Sequence, residues 1–317
     1  MKQKKFVIFL CSIMVIAMLS ACTLFSPQKK PETEPTPPSS SQNEPEITVY
    51  MHETGQTKKM PLEDYIAGVV AGEMKADWPV EALAAQAILA RTFTLQAIES
   101  KGGVPARGTQ ASTDIKEFQA YDAKSINDNV REAIRMSRGK VVTYQGKLIT
   151  AWFHASAGGM TATAKEGLNY KDAEPPYISP VASPDEQAPP EVRNWKATVS
   201  TEAMMTALAQ IGQKVNTVDA VEITQKGPSG RAEELTVNHS VKVSGPELRI
   251  ALGSDVVKSM LLDTVEVSGG KVIFSGRGFG HGVGMSQWGA YALAKSGTSA
   301  TDIIAHYFQG VAIEQRY

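Results

Sequence analysis

The sequence predicts an α+β fold of mixed helices and short antiparallel strands, on two observations. Apolar residues recur at helical spacing through residues 61–100 and 127–137, whereas residues 195–275 break into short β-prone runs separated by glycine and proline turns. Two more helical stretches close the chain, and no internal repeat is visible.

The chain opens with Lys2, Lys4 and Lys5, an apolar run over residues 6–19, and then Leu19-Ser20-Ala21-Cys22. That run is short of the roughly 20 residues a bilayer-spanning helix needs, and it reads as a cleavable export signal over residues 1–21. Its Leu-x-Ala-Cys ending resembles a bacterial lipoprotein box, which implies lipid attachment at Cys22 and an extracytoplasmic protein anchored to the cell membrane. Residues 22–46 read as a flexible linker, since between 26 and 46 there is no aliphatic or aromatic side chain. Residues 47–317 remain for one large domain or two intimate ones. Cys11 and Cys22 are the two cysteines, so the exported part has no thiol for a disulfide or a metal, and its stability must come from core burial. A formal net charge of -1 argues against a nucleic-acid partner, which would want a basic face.

Pro61 followed by Leu62, Glu63 and Asp64 marks a helix start, and Leu62, Tyr65, Ile66, Val69 and Val70 form a stripe on whose next step Glu73 falls. A second helix follows Asp77-Trp78-Pro79 and runs to about residue 100, with Ala84, Ala87, Ile88, Leu95 and Ile98 on a face that also carries Arg91. A third covers residues 127–137 and is closed by Gly139. Residues 140–144 and 147–153 read as strands about a tight turn at Gln145-Gly146. The loop His154-Ala155-Ser156-Ala157-Gly158-Gly159 leads to a proline-rich stretch, 174–190, of the kind that often lines sites. Beyond residue 195, helices near 201–211 and 245–252 interrupt the short strands. The closing helices, 285–295 and about 300–309, end at Gly297 and Gly310.

Residues 276–289 read Gly-Arg-Gly-Phe-Gly-His-Gly-Val-Gly-Met-Ser-Gln-Trp-Gly. If the stretch is extended, Gly278, Gly280, Gly282 and Gly284 leave one face bare while Arg277, Phe279, His281 and Val283 crowd the other. Glycine weakens a strand, so four in alternation point to close approach by another chain or a ligand; a structural hairpin is the plain alternative.

Glu73 is the first candidate for chemistry. On a buried helix face, desolvation raises a carboxyl pKa and keeps the group protonated near neutral pH, which suits a general acid. Arg91 has two readings: a buried partner that would lower the Glu73 pKa, or a contact for an anionic or hydroxyl-rich ligand.

Glu73-Met74 after Val69-Val70-Ala71-Gly72, residues 81–92 with Gln86 and Arg91, Gln119-Ala120-Tyr121, His154-Ala155-Ser156 with Gly158-Gly159, and the glycine run together resemble the SpoIID/LytB family. This family includes stage II sporulation protein D and the amidase enhancers, and the resemblance extends in order over nearly all of residues 47–317. It implies a peptidoglycan lytic transglycosylase whose helices and strands form a substrate groove for glycan strands, with Glu73 catalytic and Arg91 and Tyr177 in the groove. His154, Ser156, His281 and Gln287 are expected to contact sugar, and Trp288 either contacts sugar or belongs to the core. Where some members carry His-Cys before Gln-x-Tyr and a cysteine before Gly-Gly, residues that look like zinc ligands, this chain has Glu117, Phe118 and Ala157. Neither a metal nor another cofactor is expected. Lys75 stands where proline is usual, and Ser179 where a basic residue often follows the groove tyrosine. The resemblance also allows a non-catalytic wall-binding module that works with a partner amidase, and the tether alone would suit a solute-capturing lipoprotein.

Overall fold

The computed structural model describes residues 44–317; the export signal, Cys22 and most of the linker lie outside the described residues. Strands β1 (Glu46–Met51) and β2 (Gln56–Pro61) form an antiparallel hairpin, and β3 (Ala111–Ser112) pairs with β1 in parallel. The linker expected to reach residue 46 therefore ends earlier. Glu44 accepts the Glu63 N–H at 2.9 Å and pairs with Arg138, Pro45 O accepts the Leu62 N–H, and Glu46 is in register with Pro61. Charged residues look alike in a tether and on a strand edge, so composition does not separate them.

Helix α1 (Leu62–Glu73) leaves β2 directly, with Pro61 as its cap residue, because proline's fixed φ is preorganised for a helix start. Helix α2 (Val80–Lys101) is the axis of the first core. It is buried nearly all round because Ala82, Ala84, Ala85, Ala87 and Ala90 let neighbouring helices approach on several sides. Gly102 ends it at φ +75°, and the Gly103 N–H closes back on Ala97 O at 3.0 Å. Helix α3 (Asp128–Ser137) packs on α2 and is capped by the Asn127 side chain on the Val130 N–H.

Strand β4 (Lys140–Tyr144) turns through Gln145 and Gly146, at φ +50° and +75°, into β5 (Lys147–Leu148). The strand expected to continue to residue 153 stops there. Phe153 and His154 form a separate short strand, β6 (Phe153–His154), parallel to β13 (Met285–Ser286). Helices α4 (Ala164–Leu168) and α5 (Pro190–Arg193) sit in the long irregular segment that follows.

A second core is inserted next. It comprises a three-stranded sheet of β7 (Trp195–Ser200), β12 (Lys271–Gly276) and β11 (Leu262–Ser268), and another of β8 (Val221–Lys226), β9 (Ala232–Val237) and β10 (Val241–Ser244). Helices α6 (Thr201–Gln210) and α7 (Gly245–Leu252) pack with them around Met204, Leu208, Leu235, Val272 and Phe274. The chain then returns to the first core through the glycine run, with α8 (Gln287–Lys295), α9 (Ala300–Tyr307) and β14 (Ala312–Gln315), which lies against β4. The fold is α+β, as expected.

The glycine run is not an extended strand with a bare face. Gly278, Gly280, Gly282 and Gly284 have φ between +71° and +109°, a region most side chains avoid. Each is closely approached by its own chain. A Cβ added at Gly278 would lie 2.8 Å from Ser156 O, at Gly280 2.7 Å from the His154 Cβ, at Gly282 2.5 Å from the Arg231 guanidinium, and at Gly284 2.1 Å from Trp152 O. The run is therefore a seam between the two cores, not the floor of a groove.

Candidate active site

Glu73 is the last residue of α1, and three features converge on it. First, Gly68 and Gly72 leave room for Gln119-Ala120-Tyr121, since a Cβ at Gly72 would lie 2.6 Å from Tyr121 N. The Ala120 N–H consequently donates to Glu73 Oε1 at 2.8 Å, while Tyr121 stacks on Tyr65 with ring centroids 5.8 Å apart. Second, the Gln287 side chain hydrogen-bonds to Glu73 from the start of α8. Buried Gln86 on α2 holds this amide in turn, its Oε1 accepting the Gln287 Nε2–H at 3.4 Å. Third, Trp78, Trp288 and Tyr291 form an aromatic cluster beside Gln287, with centroids 4.5 to 5.4 Å apart, and Lys75 Nζ lies 5.9 Å from the Trp288 ring.

Burial pushes the Glu73 carboxyl up to about 7, partly opposed by the Ala120 N–H and the Gln287 amide. The C-terminal end of a helix carries partial negative charge, which also disfavours a carboxylate. With no cation paired to it among the described residues, the group is protonated over much of the neutral range and can give and take a proton.

Arg91 is not in this site. It is fully buried, its Nε and Nη2 donate to Glu63 at 2.9 and 2.5 Å, and its Nη1 donates to Lys140 O at 2.9 Å. The partner is thus Glu63 at the other end of α1, and neither the pairing with Glu73 nor the ligand contact expected of Arg91 is realised. Burial alone would raise the Glu63 carboxyl, but Arg91, the Tyr317 hydroxyl at 2.6 Å and the Gly139 N–H at 3.0 Å outweigh it and hold the group below its ordinary value.

Other expected sugar contacts are also internal. His154 is buried, with Nδ1 3.2 Å from Val283 O, and its ring lies 5.5 Å from that of His281, whose Nδ1 accepts the Val283 N–H. Burial lowers both imidazoles, His281 to about 3, with Arg231 adding to the effect, so both are neutral and brace the glycine run. Ser156 is buried and donates to Asp185 Oδ2 at 2.8 Å. Asp185 also accepts from Ser183, the Gly158 N–H and Ser286, the cap residue of α8, and so fixes the helix start that presents Gln287 and Trp288. Tyr177 is half-buried against Tyr144, its hydroxyl accepting the Thr150 N–H at 3.0 Å, and none of its hydrogen bonds or ring contacts reaches Glu73. Of the expected sugar contacts only Gln287 joins Glu73, through the carboxyl itself.

The sequence reading assigns no role in the site to Gln86, Trp78 or Asp185. A glutamine inside an alanine-rich helix was the available signal for Gln86; Asp185 sits in a loop that gives none. Among the described residues no group of three His, Cys, Asp or Glu side chains is placed to hold a metal. Glu117 pairs with Arg107.

A model of the family described as Stage II sporulation protein matches residues 50–144, and one described as a domain of unknown function matches residues 170–284, spanning the inserted core. The chain is 32% identical to stage II sporulation protein D of Bacillus amyloliquefaciens, over 90% of this chain and 83% of the relative. It is 31% identical to the protein of the same name from Bacillus subtilis, over 85% and 79%. It is also 31% identical to the amidase enhancer of Bacillus subtilis, over 78% of this chain but 40% of that longer protein. With Glu73, Gln119-Ala120-Tyr121 and the glycine run all set into this one fold, the chain belongs to the stage II sporulation protein D family.

Proposed function

We propose that this protein is a lytic transglycosylase that cleaves peptidoglycan glycan strands between N-acetylmuramic acid and N-acetylglucosamine, in the cell-wall remodelling of sporulation and engulfment. The observation that carries this reading is a single half-buried carboxyl, Glu73, raised to about 7 by burial, with the Ala120 N–H and the Gln287 amide only partly opposing the rise. Hydrolytic glycosidases generally use two carboxyls. A transglycosylase works with one. Protonated Glu73 donates its proton to the glycosidic oxygen as the bond from that oxygen to muramoyl C1 breaks. The carboxylate left behind then takes the proton of the muramoyl C6 hydroxyl as that oxygen bonds to C1. The products are a 1,6-anhydromuramoyl end and a free N-acetylglucosamine end, and Glu73 is protonated again. Water is not consumed and the steps call on no cofactor. The lipoprotein box at Cys22 supports a membrane-tethered enzyme acting outside the cytoplasm on the wall.

The relative named as an amidase enhancer supports a second reading, in which the domain binds glycan and works with a partner amidase without cleaving. Incubation of the purified protein with glycan strands, followed by mass spectrometry, separates the two. New 1,6-anhydromuramoyl ends that vanish with Glu73→Gln are expected; their absence with wild type, alongside retained glycan binding, favours the second reading.

A further inference from the structure

Gln86 is a polar side chain that the core does not need. It is fully buried among the alanines of α2, its Oε1 accepts the Gln287 Nε2–H at 3.4 Å, and its own Nε2 has no hydrogen-bond partner among the described residues. A buried donor left unpaired costs stability that an apolar side chain of the same length would not, so the amide calls for another explanation. The backbone beside its partner is fixed: Ser286, just before Gln287, donates to Asp185 at 2.9 Å and accepts the Gly289 N–H at 3.2 Å. What can move is the last bond of each glutamine side chain. Its torsion is broad and roughly two-fold, so turning it exchanges carbonyl and NH2 within the same space. The two amides are coupled in this motion. If Gln86 turns its NH2 to Gln287, that donor gains a partner only when Gln287 turns its carbonyl inward, and the carbonyl then replaces the NH2 that faces Glu73.

We propose that Gln86 and Gln287 turn as a pair with the proton of Glu73, which makes Gln86 a positioning residue for both halves of the reaction. The inference rests on the transglycosylase reading of Glu73. With the carboxylate, the pair stands as observed, Gln287 donating to Glu73 and to Gln86 at once. When Glu73 is protonated, its O–H needs an acceptor until glycan arrives, and the turned Gln287 carbonyl, held by the Gln86 NH2, supplies it. No covalent bond changes in the turn, and the proton stays on Glu73. No charged neighbour drives it either: the influences on the Glu73 carboxyl are burial, the Ala120 N–H and the Gln287 amide. Around it, burial raises the Tyr65 and Tyr121 hydroxyls, Lys75 and Tyr291 lie at the Trp288 ring, and Glu81 on α2 is engaged by the Ala300 N–H at 2.7 Å.

The test uses the full chain in detergent. The side-chain amide signals of the two glutamines, assigned from their loss in Gln86→Met and Gln287→Leu, are followed by NMR across the neutral pH range. Both are expected to shift with one shared midpoint at about 7, and Glu73→Gln should abolish the response of both. Methionine keeps the length and helix preference of Gln86 without its amide, so Gln86→Met should unfold at the wild-type temperature or above it. It should lower kcat roughly tenfold, in line with the loss of one hydrogen bond, and leave KM near wild type, since buried Gln86 does not reach glycan. Added to Gln287→Leu, it should cost nothing more than Gln287→Leu alone, because Gln86 acts through that amide. A titration missing from either amide, a Gln86→Met enzyme with wild-type kcat, or losses that multiply in the double variant overturn the pair and leave the role of Glu73 standing. If the wild type cleaves no strand, the transglycosylase reading falls, and the amide titration alone decides whether the pair turns.

Discussion

The two ends of helix α1 each remove a carboxylate from water and treat it in opposite ways. At the first turn, Glu63 meets a guanidinium, a tyrosine hydroxyl and a backbone N–H, and its carboxyl stays ionised below the ordinary range. At the last residue, Glu73 meets one backbone N–H and one amide, and burial lifts it to about 7. Burial is the largest influence on both, so it does not make the difference. The presence of a cation does: a buried carboxylate paired to arginine is a structural anion, whereas one satisfied by neutral donors remains titratable near neutral pH.

The sharpest way to test the contrast is to remove each acid in turn. Glu73→Gln is expected to lower glycan cleavage by roughly 10²–10⁴-fold, the usual contribution of a general acid–base group. The same variant should be no less stable than wild type. Because the folded pKa of Glu73 lies above its ordinary 4.5, the folded state holds its proton more tightly, and wild-type stability should fall as pH rises from about 4.5 through about 7. Urea unfolding across that range should show a shallower fall in the Gln variant; an equal slope would break the assignment.

At the other end, Arg91→Met leaves Glu63 buried without its cation and is expected to destabilise the protein by about 3–5 kcal/mol. Combining it with Glu63→Leu should recover most of that loss. The folded pKa of Glu63 is lowered, so its stabilisation is present above its ordinary value and lost as pH falls through the folded one. Acid unfolding of Glu63→Gln should therefore be less steep than that of wild type. If Arg91→Met lost cleavage while keeping wild-type stability, Arg91 would be acting on substrate after all.

A smaller effect is expected at Gly282, which lies outside α1 and should behave as the structural end does. Valine there would combine φ +86° with a Cβ 2.5 Å from the buried Arg231 guanidinium, a strain of about 1–3 kcal/mol or more. Differential scanning calorimetry should record a lower Tm, and the alkaline limb of activity should stay near pH 7. The smallest change concerns the neutral donors. Gln287→Leu removes a hydrogen bond that lowers the Glu73 pKa, and that limb should move upward by less than about one pH unit, since such a bond contributes about 1 kcal/mol. A downward shift would mean that Gln287 does not face the carboxyl.

Much of this was legible beforehand, and the failures have a common origin. The helices over residues 62–73, 80–101 and 128–137 follow from spacing that repeats within a few residues, as does the placement of Glu73 and Arg91 on apolar faces. Glu63 was hidden because an acid in a first turn is ordinarily explained by the helix dipole while remaining in water. The hairpin before α1 was missed because its strand residues Gln56, Thr57, Lys58 and Lys59 are exposed and polar, as loop residues are. The glycine pattern suits an extended strand or a hairpin because alternation is the mark of extended chain, yet glycine also alternates where the backbone repeatedly enters positive φ.

The amino-acid order alone determined which segments become helices, that their polar residues Glu73 and Arg91 lie inward, and the family to which the chain belongs. Only the tertiary structure decided which acid the arginine neutralises, which histidines and serines are internal, and what fills the space left by the glycines. The reason is the range of the interactions. Helical periodicity is settled between residues three or four apart, whereas the charge state of Glu63 depends on Arg91 and Tyr317, 28 and 254 positions away, and that of Glu73 on Ala120, 47 positions away.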